Sequence, residues 1–190
     1  AGDTGTRADT KESQPWAALV ERTGEAITGS SHIEDRQPVA ITGFTCQVAE
    51  VSVDRETGQV TLLRMTSAHD TGQIINPLGH QGQINGGVQH GIGYGLMEEM
   101  LIEDGRGATL SFGDYKIPTT ADMPELRTAI LESETGVGPY NIKGIGENPN
   151  APTAAAIANA VADATGVRIT DLPITAEKLL AGMKAKGRAP

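Results

Sequence analysis

Lys143-Gly144-Ile145-Gly146-Glu147-Asn148-Pro149 is the stretch around which the rest of this sequence is organised. Its two glycines permit positive φ angles and leave the backbone bare, so another molecule can approach closely. The proline that follows keeps the stretch out of any β-ladder, and Thr153 to Ala164 has the pattern of a helix. The sequence therefore predicts a loop that presents the Glu147 carboxylate just before a helix N-terminus, where backbone N–H groups point outward.

A carboxylate in such a loop has two interpretations. It can act as a base beside a bound anion, because the helix N-terminus favours negative charge nearby. It can equally be an ordinary solvated glutamate on a surface loop, and a single G-x-G-E stretch does not distinguish the two.

A second glycine-rich stretch lies upstream, in a predicted helix from about Pro77 to Met100 with Asn76 as its N-cap. Seven glycines fall within this helix, and each interior glycine costs about 0.5–1 kcal/mol relative to alanine. Close packing of bare backbone against other elements or against a cofactor is the compensation that we expect. Gln83 and Gln89 could hydrogen-bond the edge of a heterocycle without adding charge, although a small-residue packing helix explains the pattern equally well.

Four segments taken together carry a family resemblance. They are Gly82–Glu99 (GQINGGVQHGIGYGLMEE), Asp114–Pro118 (DYKIP), Lys143–Glu147 (KGIGE) and Ala154–Ala160 (AAAIANA). In order and spacing, they resemble the molybdenum-binding subunit of the xanthine oxidase and aldehyde oxidase family of molybdenum hydroxylases. The resemblance extends from about Gly43 to Leu180 and is similar only to the C-terminal part of that subunit.

The resemblance implies a site and a cofactor. Glu147 corresponds to the family's active-site base in a dry pocket beside the molybdenum, and Gln83 corresponds to the glutamine that hydrogen-bonds the pterin. The implied cofactor is molybdenum-molybdopterin, with the cytosine dinucleotide form as one option, and its dithiolene rather than any side chain holds the metal. The further cofactor-binding positions that we expect are Gly82, Gly86, Gly144, Ile145 and Gly146.

The resemblance also implies a function that needs other chains. The enzyme would oxidise an aldehyde or an N-heterocyclic, purine-type substrate with water as the oxygen source. A second molybdenum-subunit polypeptide would complete the site, and [2Fe-2S] and FAD subunits would remove the electrons, so this chain alone should be inactive. Two alternatives stay open: the large subunit of an aerobic carbon-monoxide dehydrogenase, and a non-catalytic scaffold or anion-binding module.

Composition limits the partners. The 190 residues are 38% hydrophobic and 21% charged with a formal net charge of -9, which argues against a nucleic-acid partner. Nothing in the sequence predicts a membrane span or a signal peptide, so we expect a cytoplasmic protein. The single cysteine, Cys46, cannot hold an iron-sulfur cluster by itself and is expected to be a buried small hydrophobe.

The element pattern predicts an α+β fold with mixed sheets and packed helices, corresponding to the C-terminal half of a molybdenum-cofactor-binding domain. We divide the chain into an arm and short helix that dock on a partner (1–38), a molybdopterin-binding domain (39–183) and a flexible tail (184–190). The predicted arm is irregular over Ala1–Gln14, and its helix begins with Trp16 as a docking anchor and ends near Gly24.

The remaining predicted elements are strands, a turn and a last helix. The first two strands should form a hairpin with both faces partly covered, because apolar residues fall on both sides of each strand. The elements are strands Val39–Val53 and Gln59–Ala68 joined by the turn Asp54–Gly58, strands Thr109–Ile117, Leu126–Glu132 and Val167–Ile169, and a helix from Thr175 to Met183.

Overall fold

The computed structural model describes most of the chain, namely residues 4–6, 9–24, 28–32, 43–136 and 138–187. The chain divides into two compact units, residues 1–38 and residues 39–190. The predicted roles of the arm, the domain and the tail stay predictions.

The first unit contains a small hairpin and a helix. Strands β1 (Thr4–Thr6) and β2 (Ser13–Pro15) pair antiparallel and are followed by helix α1 (Trp16–Thr23). The helix ends as predicted, because Gly24 adopts the left-handed conformation with a φ of 69°. The hairpin differs from the irregular arm that we predicted. Half of the Trp16 surface is exposed, and its role as a docking anchor stays a prediction.

The second unit is built on a mixed three-stranded sheet. Strands β3 (Phe44–Val53) and β4 (Val60–Asp70) form the predicted antiparallel hairpin, and residues 39–42 of the predicted first strand lie outside the described residues. The Asp54 carboxylate accepts a hydrogen bond from the backbone N–H of Glu56 (2.8 Å) in the connecting turn. Another strand, which we label β7 (Glu125–Leu131), pairs parallel with β4, so the strand order is β3-β4-β7.

Three α-helices, a short 3-10 helix (Pro139–Asn141) and two short strands complete the described part of this unit. The helices are α2 (Pro77–Leu96), α3 (Thr153–Thr165) and α4 (Ala176–Ala185), and strands β5 (Ile102–Glu103) and β6 (Arg106–Gly107) form a small hairpin after α2. Asn76 caps α2 as predicted by accepting a hydrogen bond from the N–H of Gly79 (2.9 Å). Helix α2 ends four residues earlier and α4 two residues later than predicted. No helix in the described ranges has both the length and the apolar content to cross a bilayer.

The hydrophobic core lies between the inner face of the sheet and the helices. Ile174 and Leu179 flank the start of α4 and are both buried in this core. The arrangement is α+β, as the element pattern predicted. The buried core residues are Met65, Ile84, Val88, Ile92, Ile157, Val161, Val167, Ile174, Leu179 and Met183.

Two predicted strands are wrong. The segment 109–117 is a series of turns, in which the Ser111 carbonyl accepts hydrogen bonds from the N–H groups of Asp114 (3.0 Å) and Tyr115 (2.7 Å). Local hydrogen bonding of this kind competes with strand pairing. Residues 167–169 also have no strand partner among the described residues, although Val167 is buried.

The prediction that both faces of the hairpin are partly covered is wrong for β3, whose residues on the face opposite the helices are exposed. Phe44, Val48 and Leu131 remain 58–65% exposed there, and Cys46 between them is exposed rather than buried. The alternation of the strand places residues 45 and 47 on the inner face and residues 44, 46 and 48 on the other. We call the exposed apolar residues Phe44, Cys46, Val48 and Leu131 the outer face.

Candidate functional site

The Glu147 loop (residues 143–149) is held at its start by a buried ion pair. The ammonium group of Lys143 lies 2.9 Å from Asp70 Oδ2, and the two side chains are 2% and 11% exposed. The backbone N–H of Lys143 also donates to the carbonyl of Thr71 (2.9 Å). The loop therefore begins at a fixed point beside the end of β4.

The Asp70 carboxylate is also fixed by a hydrogen bond from a hydroxyl group. Ser133 Oγ donates to Asp70 Oδ1 at 2.7 Å. This hydrogen bond and the one from the Lys143 ammonium stabilise the charged form and hold the pKa of Asp70 below its usual range. Asp70 is therefore an anion that structures the loop start and is already fully engaged.

The end of the loop is held by side chains of β3 and α3. Gln47 Nε2 donates to the Pro149 carbonyl at 2.7 Å, and Thr153 Oγ1 lies 2.9 Å from the same oxygen. Inside the loop, Asn148 Nδ2 donates to the Gly144 carbonyl at 3.1 Å. The loop is consequently closed on itself and attached to the fold at both ends.

The middle of the loop is open. Gly144, Gly146 and Glu147 are exposed and Ile145 is half-buried, and a Cβ at either glycine would meet no atom within 4 Å. The predicted dry pocket around Glu147 is not formed by the described residues. The described residues present this carboxylate on bare backbone and leave it exposed.

The glycines of α2 divide into two groups. Gly87 and Gly91 are buried against the end of the Glu147 loop and the start of α3, because a Cβ at Gly87 would lie 2.8 Å from Pro149 and one at Gly91 would collide with Thr153. Gly82 and Gly86 face open space, because a Cβ added at either position would have no atom of the described residues within 4 Å. Helix packing explains the first group and leaves the second unexplained.

Gln83 lies between the open and the packed glycines around the axis of α2, because at about 100° per residue its direction differs from that of Gly86 by about 60°. It is exposed, it precedes Gly87 by one turn, and at about 100° per residue its direction differs from that of Gly87 by about 40°. Gly87 contacts Pro149, which is two residues after Glu147. The bare face of α2 (Gly82, Gln83 and Gly86) therefore begins one turn from the contact that holds the Glu147 loop.

These residues fit a large polar cofactor. Bare backbone on two neighbouring segments permits close approach, and the exposed Gln83 amide offers both a donor and an acceptor. Behind the loop, Tyr94 donates to the Asn150 carbonyl (2.9 Å), while Asn150 Oδ1 is buried and has no hydrogen-bond partner among the described residues. Within the described part of the chain, no three His, Cys, Asp or Glu side chains are grouped so that they could hold a metal ion.

A buried polar network behind the loop was missed in the sequence. Ser67 Oγ contacts both Gln47 Nε2 (2.8 Å) and His69 Nε2 (2.7 Å), and His69 Nδ1 lies 3.3 Å from Thr45 Oγ1. Burial, followed by the neighbouring His80, lowers the pKa of His69, which favours the neutral form of the ring. The sequence did carry a signal for this network. Polar residues occur at alternate positions of two paired strands, on the face where a core sheet normally has apolar residues.

Comparison with known proteins agrees with this geometry. A family model described as the molybdopterin cofactor-binding domain matches residues 3–124, which include the bare face of α2 and stop before the Glu147 loop. The xanthine dehydrogenase molybdenum-binding subunit of Escherichia coli O157:H7 is 41% identical over 161 residues, which are 84% of this chain and 21% of that protein.

Solved structures share the fold. The aldehyde oxidoreductase of Desulfovibrio gigas aligns with a TM-score of 0.69 and 35% identity, covering 75% of this chain and 15% of that one. A Cu,Mo-CO dehydrogenase aligns with a TM-score of 0.70 and 25% identity, covering 77% and 19%. The chain spans about a fifth or less of the length of the proteins that it matches. As the resemblance predicted, the chain belongs to the molybdopterin cofactor-binding domain family.

Proposed function

We propose that this chain forms part of the molybdenum subunit of a molybdenum hydroxylase that oxidises an aldehyde or an N-heterocyclic, purine-type substrate, with Glu147 as the active-site base. One observation carries the proposal: an exposed carboxylate stands on a glycine-flanked loop whose last residue, Pro149, packs against Gly87, and the neighbouring Gly86 and Gly82 of the same helix are covered by no described residue. The relatives named as xanthine dehydrogenase and aldehyde oxidoreductase support the reaction class.

Each part of the site has its own task. Gln83 hydrogen-bonds the pterin, and the exposed glycines Gly82, Gly86, Gly144 and Gly146, together with Ile145, let the cofactor approach the backbone. Molybdenum held by the pterin dithiolene supplies the two-electron redox chemistry. Glu147 accepts a proton from the water that becomes the product oxygen, and the overall change, R–H + H₂O → R–OH + 2 H⁺ + 2 e⁻, balances atoms and charge.

A base of this kind needs a dry surrounding, which the chain provides only in part. We propose that a second molybdenum-subunit polypeptide covers the open side of the site and that [2Fe-2S] and FAD subunits take the two electrons. The outer face, with Phe44, Val48 and Leu131 well over half exposed, lies on the other side of the sheet from the Glu147 loop and offers that polypeptide a second area of contact. The cytosine dinucleotide form of the pterin remains one option for the cofactor.

Carbon-monoxide oxidation is the second candidate, and the similarity of fold to a Cu,Mo-CO dehydrogenase is the observation in its favour. The copper of such a centre needs a cysteine. Cys46 is in β3 with its side chain on the outer face, whereas Gln47 on the inner face contacts the Glu147 loop. A copper ligand would therefore have to come from another polypeptide.

Metal and pterin analysis of the purified complex that contains this chain tests the proposal against a non-catalytic scaffold. We expect about one molybdenum and one molybdopterin for each copy of the chain, together with reduction of the molybdenum by an aldehyde or a purine. A complex that is fully assembled and contains neither molybdenum nor pterin would contradict the proposal. Stoichiometric copper with turnover of carbon monoxide would favour the second candidate.

A further inference from the structure

We infer that Gln47 is a positioning residue for Glu147, because it fixes the far end of the Glu147 loop on the sheet through the Pro149 carbonyl. The inference rests on the role proposed for Glu147. Gln47 precedes Pro149 by 102 residues and lies in none of the segments that carry the family resemblance. Gln47 reaches the loop only because the fold brings β3 next to Pro149.

The Gln47 amide uses both of its N–H groups and its oxygen. Nε2 donates to the Pro149 carbonyl (2.7 Å) and to Ser67 Oγ (2.8 Å), and Oε1 accepts from Thr153 Oγ1 (2.7 Å). A reversed amide would place its oxygen against the Pro149 carbonyl, where two acceptors repel each other. Only one orientation of the amide satisfies all three neighbours.

The network on the far side of Gln47 keeps this orientation. Ser67 and His69 are 0% and 2% exposed, and their side chains are hydrogen-bonded to each other at 2.7 Å. Gln47 is directly opposite Ser67 in the β3–β4 ladder, and Thr45 is opposite His69. The anchor is therefore built on rigid paired strands, which position a group more precisely than a loop does.

The position of Glu147 depends on the two ends of its loop. Lys143 is fixed by Asp70 and Pro149 by Gln47, while the two glycines between them resist no backbone rotation. Without the Gln47 amide, the only side-chain donor that the described residues offer to the Pro149 carbonyl is the Thr153 hydroxyl, which has a single proton to share with its neighbours, while the buried Pro149 ring keeps its packing against Gly87. A displacement of about 1 Å at a reacting group can cost about 10²-fold in rate.

The experiment replaces Gln47 in the assembled enzyme that contains this chain. Gln47→Leu keeps the approximate size and removes all three hydrogen bonds. We expect amide hydrogen exchange over residues 143–150 to accelerate about tenfold, with α4 unchanged, because the loop end is released. We also expect kcat to fall about 10- to 100-fold with KM and molybdenum content retained.

Gln81→Leu is the matched control. The Gln81 amide also donates two hydrogen bonds, to Asn85 Oδ1 (2.7 Å) and Thr128 Oγ1 (2.9 Å), but neither leads to the Glu147 loop. Its loss should leave the exchange of residues 143–150 unchanged. If Gln47→Leu fails to assemble, Thr153→Val provides the test, because it removes one hydroxyl from the anchor and Thr153→Ser restores it.

A double-mutant cycle separates positioning from general damage. If Gln47 acts through Glu147, Gln47→Leu should lower turnover much less in a Glu147→Gln background than in the wild type. Equal losses in the two backgrounds, or unchanged loop exchange in Gln47→Leu, would overturn the positioning role. Normal turnover of Glu147→Gln alone would instead overturn the proposed function, while the exchange measurement would still decide whether Gln47 anchors the loop.

Discussion

Lys143 and Asp70 form the ion pair on which the start of the Glu147 loop depends. Both side chains are nearly inaccessible to water, unlike the Arg64–Glu50 pair across the sheet, in which the side chains are 30% and 51% exposed. Exposed pairs contribute little to stability, whereas removing one partner of a buried pair leaves a desolvated charge without compensation. Asp70 is therefore a structural anion, and its replacement should lower the stability of the fold.

Asp70→Asn should destabilise the protein at neutral pH and change its response to acid. The pKa of Asp70 is lowered in the folded state, so its contribution is fully present above the unfolded value of 3.8 and is lost as pH falls through the folded pKa. The measurement is thermal unfolding of wild type and variant between pH 7 and pH 3. The difference in melting temperature should be largest at pH 7 and should shrink below about pH 4; a difference that is independent of pH would contradict the ion-pair account.

At the scale of elements, some glycines of α2 pack against other parts of the fold and others remain open to a ligand. Gly91 is buried against Thr153, and Gly86 on the other side of the same helix faces open space. If α2 needed glycine only for close packing, it would require glycine at buried positions such as Gly91. It would then be more stable with alanine at exposed positions such as Gly86. The persistence of bare backbone at exposed positions is what the proposed cofactor explains.

Gly86→Ala and Gly91→Ala should therefore have opposite effects on the chain and on the cofactor. Gly91→Ala should cost about 1–3 kcal/mol by overpacking against Thr153. Gly86→Ala should gain about 0.5–1 kcal/mol in helix propensity and yet lower the molybdopterin content of the assembled enzyme. Urea unfolding and pterin analysis provide the two measurements. Full pterin content in Gly86→Ala would show that this face of α2 does not contact the cofactor.

Sequence reasoning predicted the elements whose signals are local. The hairpin turn at Asp54–Gly58, the cap at Asn76 and the helix end at Gly24 are each set by one or two residues, and the structure has all three. The strand predicted at 109–117 failed because its hydroxyl and carboxylate groups form turns instead. The sequence therefore predicted local structure correctly where a single local arrangement satisfies the residues concerned.

The parts of the site that depend on distant contacts could not be predicted. Neither the anchor from Gln47 to Pro149 nor the Lys143–Asp70 pair has a sequence signature, because the partners are 102 and 73 residues apart. Which glycines of α2 pack and which remain open depends on the position of the segment after the Glu147 loop. Burial of Cys46 was wrong for the same reason, since periodicity alone does not tell which strand face is covered.

At the scale of the whole molecule, the side of the sheet that faces away from the helices has two halves. Glu50, Arg64 and Glu125 form a charged row across the three strands, with ion-pair distances of 2.7 and 2.8 Å. The other half is apolar and includes Phe44 and Val48, which are 65% and 58% exposed. The charged half is well solvated when it is exposed to water, whereas the apolar half would be stabilised by contact with a covering polypeptide.

Val48→Lys should weaken association with the second molybdenum-subunit polypeptide at least about tenfold, because a charge would be placed in the core of the contact. The stability of the chain itself should not change, since Val48 contributes little to its own core. Ser52→Lys, on the same strand face but beyond the charged row, is the control and should assemble normally. Co-purification and sedimentation measure the association, and normal assembly of Val48→Lys would place the contact elsewhere.

Glu147→Gln in the assembled enzyme tests the central claim most directly. The substitution keeps the size and the hydrogen-bonding ability of the side chain and removes its basicity. We measure kcat together with molybdenum and pterin content, using Glu56→Gln at the tip of the β3–β4 hairpin as the control for loss of an exposed carboxylate. We predict that kcat falls by about 10²- to 10⁴-fold with cofactor content unchanged; near-normal turnover in a variant with full molybdenum would contradict the assignment of Glu147 as the base.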